Sequence, residues 1–235
     1  MKLVAEQPAS YSYSGTYVAD TLYPLTKRLL DVLIAGTLLM LLAPLFAVIA
    51  LAIRLDSRGP VLFRQQRVRG DWDPSMGPPE KRLFTFLKFR SMLANADSRV
   101  HQQYVSDYIN GNGTKHGSAY KLRNDRRITR VGRILRRTSL DELPQLINVL
   151  RGDMTLVGPR PSLPYEVSQY QERHRGRLAV TPGLTGLWQV SGRNRVTFEE
   201  MVRLDLEYVR RRSLLFDLWI LLRTLPAILE GGGAC

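Results

Sequence analysis

Residues 139–161 read SLDELPQLINVLRGDMTLVGPRP, from Ser139 to Pro161. Two adjacent acids, Asp141 and Glu142, precede an apolar run, and the turn Gly158-Pro159-Arg160-Pro161 closes the stretch. Ser139-x-x-Glu142 matches a capping box, with Pro144 falling in the first turn, where proline is tolerated. The spacing therefore predicts a helix with Leu143, Leu146, Ile147 and Leu150 on one face. Asp141 and Glu142 would then lie at a helix N-terminus, where free backbone N–H groups favour anions, phosphate among them. Capping explains both acids without any chemistry, and the spacing alone leaves the two readings level. The closing turn is rigid and presents one guanidinium, suited to a phosphate or to stacking on a base, and equally at home in an ordinary loop.

Upstream of this stretch the chain is strongly basic, from Arg123 through Arg126, Arg127, Arg130, Arg133 and Arg136 to Arg137. The whole chain of 235 residues carries a net charge of +13, which points to an anionic or phosphate-bearing partner. Nucleic acid is not expected, because no aromatic side chains are interleaved with the arginines to stack on bases. The single cysteine, Cys235, excludes an internal disulfide and fits a reducing compartment. His101, His116 and His174 are scattered. No zinc pattern, nucleophile elbow, Walker loop or dinucleotide fingerprint is present.

Towards the N-terminus, residues 1–24 are polar, rich in Tyr and Ser, and do not read as a signal peptide. They are expected to be a flexible segment. Lys27 and Arg28 then introduce an apolar run with no charge from Val32 to Ile53, long enough to span a bilayer as a straight helix. Ala43-Pro44 interrupts it: Pro44 lacks an N–H and clashes with the carbonyl of Met40. Basic residues flank both ends, with Arg54, Arg58, Arg64 and Arg67 following. The positive-inside tendency places both flanks in the cytoplasm, which a helix that bends at Ala43-Pro44 and returns would satisfy. A kinked single span is the alternative. Residues 25–58 are assigned to this membrane segment, 59–230 to a cytosolic, membrane-associated domain, and 231–235 (GGGAC without its neighbours) to a flexible tail.

Within the domain, the aromatic run Arg82–Phe89 predicts a strand that pairs with Val61–Phe63, the turn-rich loop 70–80 lying between them. Residues 91–110 read as a polar helix and 111–117 as a glycine-rich loop. Residues 199–212 predict an amphipathic helix with a basic end. Leu214 to Leu229 is too short and too charged to span, and reads either as an interfacial helix anchored by Trp219 or as a core helix. The fold class is α+β, mostly helical, with a re-entrant membrane helix, a small β-hairpin and interfacial amphipathic helices.

KRLLDVLIA, LFRQQRVR, FLKFRSM, TSLDELPQLINVLRGDMTLVGPRP, TPGLTGLWQVSGRN and LDLEYV occur in this order from Lys27 onward. Together they resemble the bacterial sugar transferase family, the monotopic polyprenyl-phosphate phosphoglycosyl transferases, over nearly the whole chain to Leu229. Small exopolysaccharide-initiating members without extra N-terminal spans are the expected type. The resemblance implies transfer of a sugar 1-phosphate from a UDP-sugar to polyprenyl (undecaprenyl) phosphate, with release of UMP. It implies Asp141 as the nucleophile that forms an aspartyl phosphosugar, and Asp141 with Glu142 as Mg²⁺ ligands. Lys88, Arg136, the Pro159-Arg160-Pro161 turn, Arg193 and Asp217 become candidate substrate contacts. The implied setting is the cytoplasmic face of a bacterial inner membrane, against anionic lipids. Where the family often has Ser-Pro at the membrane break, this chain has Ala43-Pro44. The identity of the sugar and the oligomeric state, homo-oligomer or monomer, are left open by the sequence.

Overall fold

Because Pro44 has no N–H and crowds the preceding turn, the long apolar run does not continue as one straight helix. In a computed structural model that describes residues 22–72, 74–94, 99–109, 125–192 and 196–229, the run forms α1 (Leu22–Leu41) and α2 (Ala43–Asp56). The two are bent by 61°, with the break at Leu42 and Pro44 in the first turn of α2. Among the described residues no single helix is long and apolar enough to cross a membrane, and this pair passes that test only jointly. α1 already begins at Leu22, three residues inside the expected flexible segment; residues 1–21 and the 231–235 tail lie outside the described residues.

Both ends of the bent pair are fastened to the same body. At the start of α1, the Lys27 ammonium meets Asp217 at 2.6 Å, and Arg28 donates to the carbonyls of Val149 (2.6 Å) and Leu150 (2.8 Å). Asp31 is buried and accepts hydrogen bonds from the Thr155 hydroxyl and the Leu156 N–H. At the end of α2, Ile49 and Ile53 pack with Phe89 and Leu135, and Phe46 meets Phe89 edge to face. Asp56 accepts from the Val131 N–H at 3.0 Å, and Arg90 donates to the Ser57 and Arg58 carbonyls. Between these anchors Leu33, Met40 and Leu41 are exposed, as are Leu25, Leu29, Leu51 and Leu55 beside them.

The expected hairpin forms, β1 (Leu62–Val68) against β2 (Leu83–Phe89), antiparallel, with Phe63 opposite Lys88, but β1 runs well past the expected partner Val61–Phe63 to Val68. The intervening loop holds two 3₁₀ turns, Pro74–Met76 and Pro79–Lys81. α3 (Arg99–Ile109) follows, then α4 (Arg130–Thr138), whose Thr129 N-cap hydroxyl accepts from Gly132 N–H. The glycine-rich loop 111–117 lies outside the described residues. A 3₁₀ turn, Leu140–Glu142, leads into α5 (Gln145–Arg151). Asn148, fully buried on α5, accepts from Leu87 N–H and donates to the Thr85 carbonyl, so it stitches the helix to β2.

Sequence periodicity did not reveal a second, parallel pair, β3 (Thr155–Val157) with β4 (Gly183–Thr185), whose strands are too short to show one. The short helices α6 (Pro164–Val167), α7 (Glu172–Arg175) and α8 (Leu187–Ser191) surround it, and α9 (Phe198–Arg211) and α10 (Leu214–Leu229) close the body. Met154, Val157, Trp188, Met201, Tyr208 and Ile220 form the centre of the main core. An enclosed ion pair, Arg177 with Asp205, ties the turn after α7 to α9. α10 answers both readings of its sequence: Ile220 and Asp217 are buried, while Leu215, Leu218, Leu222 and Leu225 on the same helix are exposed.

Candidate active site

The adjacent acids are held by their apolar neighbours. Leu140 and Leu143 pack beneath α2 and α4, beside Ile53, Phe89 and Leu135, which fixes the Leu140–Glu142 turn between them. Ser139 is not the N-cap that the capping-box spacing predicts. Its φ is +58°, a left-handed conformation that closes α4, and its side chain caps nothing. A residue whose backbone ends one helix in this way is not in the extended conformation an N-cap requires. The acids therefore sit in a tight connection between two helices, and Pro144 takes the N-cap position of α5.

Asp141 is only 4% exposed, yet it lines a cleft of about 1510 Å³ with Glu142. That volume exceeds the ~300–1,000 Å³ common for one small ligand and leaves room for two. Lys88, projecting from β2, brings its ammonium to 4.0 Å from Asp141 Oδ2 and lies 5.7 Å from the Phe63 ring centroid. Arg136, from the last turn of α4, also lines the cleft. Arg160 lines it from the other side, at 3.7 Å from Glu166, whose second carboxylate oxygen accepts from Leu163 N–H.

Backbone contact on both sides locks the Gly-Pro-Arg-Pro turn. Gly158 N–H donates to the Thr185 carbonyl and Gly183 N–H to the Pro159 carbonyl, while Arg67 donates to the Pro161 carbonyl. A Cβ on Gly183 would stand 2.0 Å from the Gly158 nitrogen, so the two loops approach closely only because both residues lack side chains. Pro159 and Pro161 thus shape the turn, and Arg160 is the residue it presents.

Asp141, Glu142, Lys88, Arg136, Arg160 and Pro161 come together around one cleft. Asp217 does not line it. It lies between α1, α9 and α10, accepting from Lys27, Tyr23 and Tyr208. Arg193 lies outside the described residues. Other cleft-lining groups were not among the candidate site residues, although Trp188 lies within the motif TPGLTGLWQVSGRN. His101 and Tyr165 form a hydrogen-bonded pair at 2.7 Å, and Trp188 is buried there with its indole N–H unpaired. The lining also includes apolar side chains, Ile34 and Leu38 from α1 and Leu221, Ala227 and Ile228 from α10.

Among the described residues no group of three or more His, Cys, Asp or Glu side chains is placed to hold a metal ion. Two adjacent carboxylates facing a cleft do fit Mg²⁺, which is commonly held by one or two carboxylates together with substrate phosphates.

Comparison with known proteins bears on this arrangement. The family described as bacterial sugar transferase matches residues 22–231. The chain is 39% identical over 225 residues to the galactosyl transferase CpsE of Streptococcus agalactiae serotype III, covering 95% of this chain but 45% of that protein. It is 38% identical to the exopolysaccharide production protein ExoY of Sinorhizobium fredii, covering 89% of this chain and 88% of that one. With the UDP-glucose:undecaprenyl-phosphate glucose-1-phosphate transferase of Caulobacter vibrioides it shares 43% identity, over 89% of this chain and 72% of the relative. The chain thus spans less than half of CpsE and most of ExoY. A match that takes in both arms of the bent helix pair, the hairpin and every element around the cleft establishes that the chain belongs to the bacterial sugar transferase family.

Proposed function

We propose that this chain transfers a sugar 1-phosphate from a UDP-sugar to polyprenyl (undecaprenyl) phosphate. The observation that carries the reading is the buried Asp141 carboxylate, facing beside Lys88 a cleft that Arg136 and Arg160 also line. An Asp141 oxygen attacks the β-phosphorus of the donor. The bond from that phosphorus to the oxygen bridging the two phosphates breaks, UMP leaves with that oxygen, and an aspartyl phosphosugar remains. An oxygen of polyprenyl phosphate then attacks the same phosphorus, and breaking the aspartyl bond restores the carboxylate and yields polyprenyl diphosphate sugar. Lys88, Arg136 and Arg160 orient the diphosphate and stabilise the charge that develops on its oxygens. Asp141 and Glu142 would hold Mg²⁺ against the donor phosphates, where the ion supplies further charge neutralisation.

The apolar side chains that α1 and α10 contribute to the cleft suit a prenyl chain arriving from a bilayer. We assign α1 and α2 (within residues 25–58) to a re-entrant membrane helix and residues 59–230 to the catalytic unit on its cytoplasmic side. The support is geometric: both arms end on the same body, so both flanks lie on one side, and the bare leucines between them face lipid. Exposed leucines of α10 extend that surface. The setting this implies is a bacterial inner membrane with anionic lipids against the basic flanks.

The test is release of UMP from UDP-glucose and UDP-galactose by the purified, detergent-solubilised chain with Mg²⁺ and undecaprenyl phosphate. Native protein is expected to release UMP and to form a lipid-linked product, and Asp141→Asn to do neither. Normal turnover by Asp141→Asn would remove that residue from the nucleophilic role.

A further inference from the structure

Lys88, Arg136 and Arg160 only donate hydrogen bonds, which suits phosphate oxygens. A UDP-sugar also carries alcohols, on its hexose and on its ribose, and an alcohol both donates and accepts. Among the described residues lining the cleft, His101 of α3 and Tyr165 of α6 meet that need as a unit. His101 Nδ1 and the Tyr165 hydroxyl lie 2.7 Å apart, with the rings edge to face.

Either tautomer gives the same result. If the phenol donates to Nδ1, then Nε2–H is left as a donor and the phenol oxygen as an acceptor. If Nδ1–H donates to the phenol oxygen, Nε2 becomes the acceptor and the hydroxyl the donor. Each arrangement leaves one donor and one acceptor on neighbouring side chains, which is the complement of a hydroxyl or a vicinal diol.

Electrostatics keep the pair in this neutral, two-way state. Burial pushes the His101 imidazolium down to about 4, and Arg160, Arg67 and Lys88 act in the same direction, with Glu166 opposing them. Burial, helped by Glu166, pushes the Tyr165 phenol up to about 12. The positive charges of Arg160, Arg67 and Lys88 disfavour the imidazolium, so the neutral ring does not compete with them for phosphate. The two helices that carry the pair are tied together: Ser106 of α3 donates to Gln169, whose amide donates to the Tyr165 carbonyl of α6.

We infer that His101 and Tyr165 form a hydroxyl-recognition site for the UDP-sugar donor, separate from the residues that bind its phosphates. The inference rests on the donor class proposed above. Its chemistry is shared by two parts of that donor, the hexose and the ribose, and the experiment tells them apart.

Tyr165→Phe removes a single oxygen, and His101→Ala removes the imidazole. For both, KM and kcat would be measured with UDP-glucose or UDP-galactose, whichever the native full chain turns over. UMP affinity would be measured by calorimetry, and folding checked by thermal unfolding. A rise of about tenfold in KM with UMP affinity unchanged places the site on the hexose. An equal, about tenfold, weakening of donor and UMP places it on the ribose. If Tyr165→Phe folds normally and shifts neither KM nor UMP affinity, the pair is only a packing contact and the inference is wrong. A native chain that binds UMP but turns over no UDP-sugar would overturn the proposed function first, and this inference with it.

Discussion

Asp31 Oδ2 accepts the hydroxyl proton of Thr155 at 2.5 Å, joining the middle of an apolar helix to a strand 124 residues further along the chain. The other oxygen of the carboxylate accepts from Leu156 N–H at 3.1 Å. A single acid therefore supplies acceptors to two buried groups and sets the depth at which α1 docks on the parallel strand pair. Asp31→Ala leaves both donors without a partner. An unpaired buried polar group costs roughly 1–3 kcal/mol, so the variant is expected to lose stability by at least that amount, read as a lowered thermal midpoint in detergent. Thr155→Val removes one donor and keeps the bond to Leu156, and is expected to cost less. Equal midpoints for Asp31→Ala and native protein would mean that α1 is held by other contacts.

Topology has a direct chemical readout. Lys27, Arg28 and Asp31 tie the first arm of the bent pair to the same body that Asp56 and Ile53 tie the second arm to. Cysteines placed at Thr26 and at Ser57, in a Cys235→Ser background, are expected to be shielded from an impermeant maleimide added outside intact cells. Both should react once the cells are opened. Labelling of one position from outside and the other only from inside would establish a span and end the re-entrant reading.

Titration of His101 gives stability a pH dependence of known sign. The folded imidazole is held down to about 4, against an ordinary 6.5, mainly by burial and then by Arg160. Between those two values the unfolded chain binds a proton that the folded chain does not. Stability therefore rises with pH across that window and falls as the pH is lowered through it, levelling off below about 4. Burial also lowers the value for His174, which acts in the same direction. The difference between native protein and His101→Gln therefore isolates the first histidine. Urea midpoints followed over the window are expected to show a shallower slope for the variant. Parallel profiles would mean that His101 is as accessible to protons in the folded chain as in the unfolded one.

Much of this arrangement was legible before any coordinates. Pro44 within an uncharged run announces a break in a helix, and the break falls at Leu42. Aromatic alternation over residues 82–89 announces the β2 strand and its partner. Lys88, Arg136, Asp141, Glu142 and Arg160, the candidates that the family resemblance implies, line one cleft. What could not be read depends on contacts between distant segments. Asp217 looks like a candidate ligand in sequence, but pairing with Lys27 and Tyr208 requires α1 and α9 to pack against α10. Asp31 looks like an isolated charge at the edge of an apolar run until Thr155 is placed beside it. His101 and Tyr165 lie 64 residues apart and neither belongs to a motif, so only the fold makes them a pair. Ser139 misled because a capping box is a local pattern. The left-handed turn that closes α4 takes the residue the pattern needs.

The central claim is that Asp141 carries the sugar phosphate covalently, and intact-protein mass spectrometry tests it most directly. The purified chain would be incubated with Mg²⁺ and a panel of UDP-sugars, with no lipid acceptor present. The expected result is a mass gain of one phosphosugar in native protein, absent in Asp141→Asn and discharged when undecaprenyl phosphate is added. No mass gain with a donor from which UMP is still released once the lipid acceptor is present would contradict the claim and leave direct transfer between donor and acceptor in its place.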